Sequence, residues 1–212
     1  MANFPIEVKI LVKPAGFFKT GRLALIEALA HGLSNNALAE ELDISIKSVE
    51  RILNETNAKL GNKAGKEHKD LAKIFNPRLR LLTSLIATDI CEVHTDAPMR
   101  YIENLSEALE QTLVLCCIGF SNKAIAELFE VTEKAIELRF THLFDYFGVD
   151  TKSLRIENPR VNLFISAYCR NNIKKAQVTR LYRETQFSRI DEILMKPAAF
   201  LDGLDDDYRI IG

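Results

Sequence analysis

The sequence contains little of what marks several classes of protein. It has no Trp, nine Gly and six Pro among 212 residues, and no apolar run of the ~18 residues that a membrane-spanning helix needs. So few Gly and Pro residues exclude a collagenous or low-complexity chain. Glu7 and Lys9 interrupt the apolar beginning of the chain, which therefore does not read as a signal peptide. We expect a protein without a membrane partner.

The sequence also lacks the cysteine spacing of a disulfide-bonded protein, and its net charge is close to zero. The four Cys residues show no framework spacing, so we expect free thiols in the reducing cytoplasm. The formal net charge of -1 argues against a simple polycationic coat for nucleic acid. With 47% hydrophobic and 27% charged residues, the composition is that of a globular protein that buries a core without a stabilising metal.

No catalytic constellation is present in the sequence. It has neither a Gly-rich phosphate loop nor a His-Glu-x-x-His motif. Cys91 and His94 offer two soft metal ligands, but no second pair follows at the spacing of a zinc site. We therefore predict a protein that is not an enzyme and that holds no metal and no cofactor.

The most informative feature is an internal repeat. Shifted by 87 residues, the segment GLSNNALAEELDISIKSVE at 32–50 lies on GFSNKAIAELFEVTEKAIE at 119–137 without a gap. Eight of these 19 positions are identical, and most of the others are conservative. The chain thus contains two copies of one small unit.

Each copy reads as three helices. An apolar helical run ends at Gly32, Ser34 begins a short helix, and Ser45 begins a longer helix that stops near Gly61. The corresponding residues of the second copy are Gly119, Ser121, Thr132 and Gly148. Two helices joined by a tight turn, the second capped by Ser or Thr, are typical of a helix-turn-helix. The pattern predicts an all-α fold.

Both copies resemble the LuxR/FixJ-type (GerE-like) helix-turn-helix of bacterial transcription regulators. The second copy carries the resemblance through Leu105-Ser106, the segment 119–126, the segment 132–136 and the closing Phe147-Gly148-Val149. The first copy matches at 32–39, 45–49 and 59–61. The resemblance implies tandem units that bind DNA through their third helix and regulate transcription in bacteria.

The repeat divides the chain into four parts. We expect an N-terminal segment with the first unit at 1–61, a helical connector at 62–104, the second unit at 105–149 and, at 150–212, a basic C-terminal helical segment with an acidic end. In the connector, PRLRLLTSLIATDICEV predicts an apolar helix, flanked by a polar stretch at 62–70 and a turn at 95–98. The chain before the first unit is shorter than a sensor domain, so we expect none to be fused there.

Alignment of the two units with the family pattern indicates which residues are candidates for DNA binding. They are Lys47, Ser48, Glu50, Arg51 and Asn54 in the first unit, and Lys134, Glu137 and Thr141 in the second. Arg51 suits guanine and Asn54 suits adenine, whereas Leu138, at a groove-facing position, is a poor base reader. The first unit is therefore the better DNA candidate. The competing interpretation of Arg51 is a solvated surface residue.

The charge of the units opposes DNA binding. The first has four basic against six acidic residues over 21–61, and the second has three against seven over 105–149. Glu50 and Glu137 stand where the family usually has Lys. Glutamate accepts a hydrogen bond from cytosine N4 but repels phosphate, so base contact and a structural or anti-binding role are both open.

The last helix of the second unit carries an apolar stripe. Phe140, Leu143, Phe144 and Phe147 have helical spacing and need an apolar partner. Because related domains use their last helix for dimer contacts, the resemblance implies the seam of a homodimer. Core packing against the C-terminal segment and an intramolecular pseudo-dimer of the two units are the alternatives.

The C-terminal segment is basic. Residues 152–196 hold ten Lys and Arg against four Asp and Glu. The stretch RNNIKKAQVTRLYRETQFSRI at 170–190 predicts one helix with a basic face, in which Tyr182 and Phe187 are interleaved. Lys174 and Lys175 are its candidate phosphate contacts. Docking on an acidic partner and packing on the acidic units are alternatives.

Two functions are consistent with these patterns. The first is a cytoplasmic DNA-binding transcription regulator, in which the basic C-terminal segment supplies the positive charge that the units lack. The second is a protein-interaction adaptor whose units have lost DNA binding and which docks on RNA polymerase or another regulator. The acidic helices and the stripe at Phe140 favour the second function.

Overall fold

The computed structural model describes residues 20–62, 74–94, 100–152 and 158–185, together with Ile193 and Phe200. Within these ranges the fold is all-α, as the sequence predicts, with one isolated β-bridge between Phe75 and Phe120. The helices are α1 (Thr20–Ala30), α2 (Asn35–Glu41), α3 (Ile46–Lys59), α4 (Pro77–Ala87), α5 (Glu107–Cys117), α6 (Asn122–Leu128), α7 (Glu133–Phe147), α8 (Pro159–Cys169) and α9 (Lys175–Glu184). The predicted turn at 95–98, most of the predicted polar stretch and Phe187 lie outside the described residues.

Equivalent side chains cap the helices of the two copies. The Oγ atoms of Ser34 and Ser121 each accept a hydrogen bond at 3.2 Å from the backbone N–H three residues on, at the starts of α2 and α6. Ser45 and Thr132 do the same for α3 and α7, at 3.1 and 3.2 Å. Each bond satisfies a donor that the first helical turn leaves unpaired, so these helix starts follow from local sequence.

The structure extends the repeat to a fourth helix. The triplet Asn-Pro-Arg, at 76–78 and 158–160, forms the start of both α4 and α8: the Asn is the N-cap residue, its side chain caps the helix, and the Pro is the first helical residue. Both helices are followed by a residue with left-handed backbone, Asp89 and Asn171, each at φ 58°. The offset between these helices is 82 residues rather than 87. The first copy therefore comprises α1–α4 and the second α5–α8.

The fourth helices join the two copies. α4 packs against α3 of its own copy and α5 of the other, α8 packs against α7 of its own copy and α1 of the other, and α4 contacts α8. The Asn76 N–H donates to the Gly119 carbonyl at 2.7 Å, and the Asn158 N–H donates to the Gly32 carbonyl at 2.5 Å. The start of each fourth helix is thus bonded to the turn between the first and second helices of the other copy. We call this pair of contacts the reciprocal clasp.

Arg80 attaches α9 to the clasp from inside the core. Its guanidinium donates to the Ile118 carbonyl at 3.2 Å and to Thr185 Oγ1 at 2.8 Å, and it lies 4.4 Å from the ring centroid of Phe75 and 4.5 Å from that of Tyr182. Burial lowers the pKa of Arg80 to about 10, so it remains charged at neutral pH. The two rings and the oxygen acceptors compensate part of the cost of burying this charge.

The basic C-terminal stretch is not the single helix that the sequence predicts for 170–190. α8 ends at Cys169 and α9 begins only at Lys175. Between them Asn171 has left-handed backbone, which Asn tolerates better than most residues. The Asn172 side chain bonds both the N–H and the carbonyl of Ile102, at 3.1 and 2.9 Å. These long-range bonds fix a turn where propensity alone favours a continuous helix.

Candidate nucleic-acid interface

The polar side chains predicted for DNA contact lie on the outside of α3. Lys47, Glu50, Arg51 and Asn54 are exposed, and their spacing places them on one stripe of the helix. The Arg51 side chain is 66% exposed, and its Nη1 donates to Glu55 Oε1 at 3.1 Å. An exposed pair of this kind contributes little to stability, so Arg51 can exchange it for an external partner.

Ser48 belongs to the cap of α3. It is half-buried, its backbone N–H donates to Ser45 Oγ at 3.1 Å, and the two hydroxyl oxygens are 2.9 Å apart. Its hydroxyl is therefore engaged within the chain. The DNA contact that the family register assigns to Ser48 stays a prediction.

Three parts of the fold fix α3 on the side opposite its exposed stripe. Val49 and Leu53 are buried in the core. The Asn57 Nδ2 donates to the Pro77 carbonyl at 2.9 Å, which ties α3 to the start of α4. At the far end, the Tyr182 hydroxyl of α9 donates to the carbonyl of Leu60, at 3.1 Å. The outer stripe of α3 therefore sits on a helix that is fixed along its length.

The equivalent helix of the second copy, α7, presents a different surface. Lys134, Glu137 and Thr141 are exposed, and Leu138 is 60% exposed. The Thr141 Oγ1 donates back to the Glu137 carbonyl at 3.1 Å, so this hydroxyl is partly engaged. Leu138 occupies the position of Arg51 in the first copy. α7 consequently has no guanidinium at the centre of its outer face.

The apolar stripe of α7 points into the chain itself. Phe140, Leu143 and Phe147 are buried and Phe144 is half-buried, on a helix that packs against α5, α6 and α8. The guanidinium of Arg160 on α8 lies 4.0 Å from the Phe140 ring centroid. A seam between two chains needs accessible side chains, so this burial favours the core-packing alternative over a homodimer seam for the stripe.

The two lysines predicted to contact phosphate differ in their surroundings. Lys174 is exposed at the N-cap position of α9. Lys175 forms an ion pair with Asp89, just beyond the end of α4. Arg180 and Arg183 are exposed further along α9. The basic face predicted for this stretch is thus present on α9, although one lysine is partly neutralised.

Sequence reasoning missed the buried polar anchors. Arg78 donates from Nη2 to Asn35 Oδ1 at 2.6 Å and also bonds the Leu33 carbonyl, which ties α4 to the start of α2. Burial lowers the pKa of Arg78 to about 10. Tyr182 is buried against Arg80 and does not offer a ring for base stacking. The recurring Asn-Pro-Arg triplet is the sequence signal that marks the first of these anchors.

The thiols form no evident chemical site. The described residues contain no group of three or more side chains placed to hold a metal ion. Burial raises the pKa of Cys91 to about 12 and those of Cys116 and Cys169 to about 11. The thiolate that a metal or a nucleophilic mechanism requires is therefore disfavoured at neutral pH.

No protein-family model, no curated protein and no solved structure matches this chain. In the part of the chain that the structure describes, every helix is too short or too polar to cross a bilayer.

Proposed function

We propose that this chain is a DNA-binding transcription regulator of the cytoplasm in which α3 is the recognition helix. The observation that carries the proposal is the exposed stripe of Lys47, Glu50, Arg51 and Asn54 on a helix whose other side is fixed in the core. A single α-helix fits the major groove of DNA, and side chains of these types read base edges there.

The arrangement of α2 and α3 supports the proposal. In helix-turn-helix proteins the first helix crosses the DNA backbone and the second lies in the major groove. Here a seven-residue helix is followed by a turn, with Asp43 at φ 50°, and then by a 14-residue helix. This order agrees with the family that the sequence resembles.

The distribution of charge selects α3 and α9 for phosphate contact. α3 has three basic against two acidic residues, and α9 has three against one, whereas α7 has two against three. Neutralising phosphates supplies most of the sequence-independent affinity for DNA. We therefore assign phosphate contacts to Lys47, to Lys174 and to the basic face of α9. A phosphate contact by Lys175 requires that its ion pair with Asp89 opens.

DNA binding by the full chain tests the proposal. A pool of random-sequence duplexes is first passed over the protein at low salt, and a retained duplex is then titrated. Arg51→Ala should weaken binding to that duplex by roughly 5- to 150-fold, the value of one bidentate base contact. The matched control Glu55→Ala removes the same ion pair and one negative charge but keeps the guanidinium, so it should bind at least as tightly as the wild type. Failure to retain any duplex would contradict the proposal.

A second candidate function, a protein-interaction adaptor, is supported by the outer face of α7. Leu138 and Tyr146 are 60% and 49% exposed, and His142 lies between them at the same helical spacing. In the first copy, Arg51 is equivalent to Leu138 and Lys59 is equivalent to Tyr146. Exposed aliphatic and aromatic side chains suit a protein surface better than phosphate. RNA polymerase or another regulator is the partner we propose for this face.

Leu138→Arg separates the two candidates. An adaptor should lose its protein partner in this variant and keep it in Arg51→Ala, as judged by co-purification from cells that express each variant. A regulator that reads DNA through α3 should keep its DNA affinity in Leu138→Arg. Co-purification of no protein with the wild type, together with tight specific DNA binding, would refute the adaptor.

A further inference from the structure

The first residue of α3 is an exposed isoleucine in a polar surface. Ile46 is 46% exposed, and it lies beside Lys47 and one turn before Glu50. The first turn of a helix favours acidic side chains because the helix dipole is positive there. A β-branched side chain also loses rotamer freedom in a helix. Neither contact with solvent nor helix propensity therefore favours isoleucine at this position.

The second copy shows that the fold does not require an isoleucine here. The equivalent residue, Glu133, begins α7 and is exposed. Three positions further on, Val49 and Ile136 are buried in the same way in the two copies. Since the internal packing is shared, the difference between Ile46 and Glu133 concerns what lies outside the chain.

The major groove of DNA presents one apolar group, the C5-methyl of thymine. The N-terminal residues of a recognition helix are those that contact base edges. We propose that Ile46 packs against a thymine methyl group and thereby selects thymine at one position of the target site. This inference rests on the proposed DNA-binding function.

The position of Glu50 indicates where that thymine lies. Side chains one helical turn apart have Cβ atoms about 5–6 Å from each other, and base pairs rise by about 3.4 Å. The base edge that suits a carboxylate such as that of Glu50 is the N4 amino group of cytosine, which donates a hydrogen bond. The thymine contacted by Ile46 therefore lies within one or two base pairs of the base that faces Glu50.

Deoxyuridine substitution measures the contact, because it removes the thymine methyl and keeps every hydrogen-bonding group of the base. In a duplex retained by the full chain, each thymine is replaced in turn and the affinity is measured by fluorescence anisotropy. For the wild type, one replacement should lower the affinity about fourfold, which corresponds to one buried methyl group. Ile46→Ala should bind the two forms equally. Val131→Ala, which truncates an exposed β-branched side chain in the turn before α7, should keep the wild-type difference.

Four outcomes would overturn the inference, and they separate its failure from that of the proposed function. If the wild type binds all deoxyuridine duplexes as tightly as the thymine duplex, or if Ile46→Ala keeps the full difference, Ile46 reads no methyl group while the proposed function stands. If Ile46→Ala keeps wild-type DNA affinity and loses a protein partner, the side chain serves a protein surface. If no duplex is retained at low salt, the proposed function fails and the inference fails with it.

Discussion

The reciprocal clasp predicts an unequal response to two matched glycine substitutions. Gly32 and Gly61 have nearly the same backbone, at φ +79° and +76°. A Cβ on Gly32 would overlap Oδ1 of Asn162 on α8 and lie 2.8 Å from its Cγ. A Cβ on Gly61 would have no atom within 4 Å among the described residues. Gly32→Ala and Gly61→Ala therefore share the backbone strain and differ in the contact with α8.

The magnitudes follow from these two contributions. Alanine at positive φ costs about 1 kcal/mol, so Gly61→Ala should lower the free energy of unfolding by about that amount. Gly32→Ala adds the displacement of the Asn162 amide, and overpacking of this kind costs about 1–3 kcal/mol more. In a chain of this length the expected falls in Tm are about 2–4 °C for Gly61→Ala and roughly 4–16 °C for Gly32→Ala.

Urea titration of the single variants and of Gly32→Ala/Asn162→Ala is the assay. Truncating Asn162 removes the overlapping atoms, so the double variant should be less destabilised than the sum of the two single changes by about 1 kcal/mol or more. Equal losses for Gly32→Ala and Gly61→Ala, or strict additivity in the double variant, would refute the close approach of α8 to the first copy.

Three further perturbations test single contacts. Tyr182→Phe removes a buried hydroxyl that donates to a backbone carbonyl at 3.1 Å, so urea titration should show a loss of about 1 kcal/mol, against little change for the exposed Tyr101→Phe. Phe140→Ala should cost about 3–5 kcal/mol and Leu138→Ala less than about 0.5 kcal/mol, because only the first side chain is buried; similar losses would place the stripe outside the core. Burial raises the pKa of Cys116 to about 11, whereas an unfolded thiol ionises near pH ~8.5, so the free energy of unfolding should fall between about pH 9 and pH 11. Because Arg78 and Arg80, whose pKa values burial lowers to about 10, shift the stability in the opposite direction, the fall is measured as the difference between the wild type and Cys116→Ala. A difference that does not fall over that range would contradict the burial of this thiol.

The helices of the two copies are predictable from sequence because their signals are local. Ser45 and Thr132 cap α3 and α7 with bonds to a backbone N–H three residues away. The outward direction of Arg51 and Asn54 follows from helical periodicity once Val49 and Leu53 are assigned to the core. Neither argument needs a contact between distant parts of the chain.

The fourth helix is not predictable from a fixed repeat. Its two occurrences are offset by 82 residues rather than 87, so an alignment at one spacing places them in a connector and in a C-terminal segment. Its function in the fold depends on distant partners, such as the bond from Asn158 to Gly32. The shared Asn-Pro-Arg triplet is recognised as part of the repeat only after the structure places α4 and α8 in equivalent positions.

Patterns of charge and amphipathicity also give wrong predictions of exposure when a side chain contacts a residue that is distant in sequence. Arg80 looks like a solvated helix residue, yet it is buried between two aromatic rings. Lys175 looks available for phosphate, yet it pairs with Asp89 on a helix end 86 residues earlier. The stripe at Phe140 has the spacing of an interface, but periodicity does not say whether an apolar face meets its own chain or another.

An exchange of residues between the two copies tests most directly whether α3, rather than α7, reads DNA. The variant Arg51→Leu/Leu138→Arg keeps the composition and net charge of the chain, and both positions are exposed. A change in affinity therefore reports the location of the guanidinium, and Glu55→Ala controls for the ion pair that the exchange removes. Titrated against a duplex selected by the wild type, it should bind roughly 5- to 150-fold more weakly. Unchanged affinity in the exchanged variant would contradict the assignment of base reading to α3.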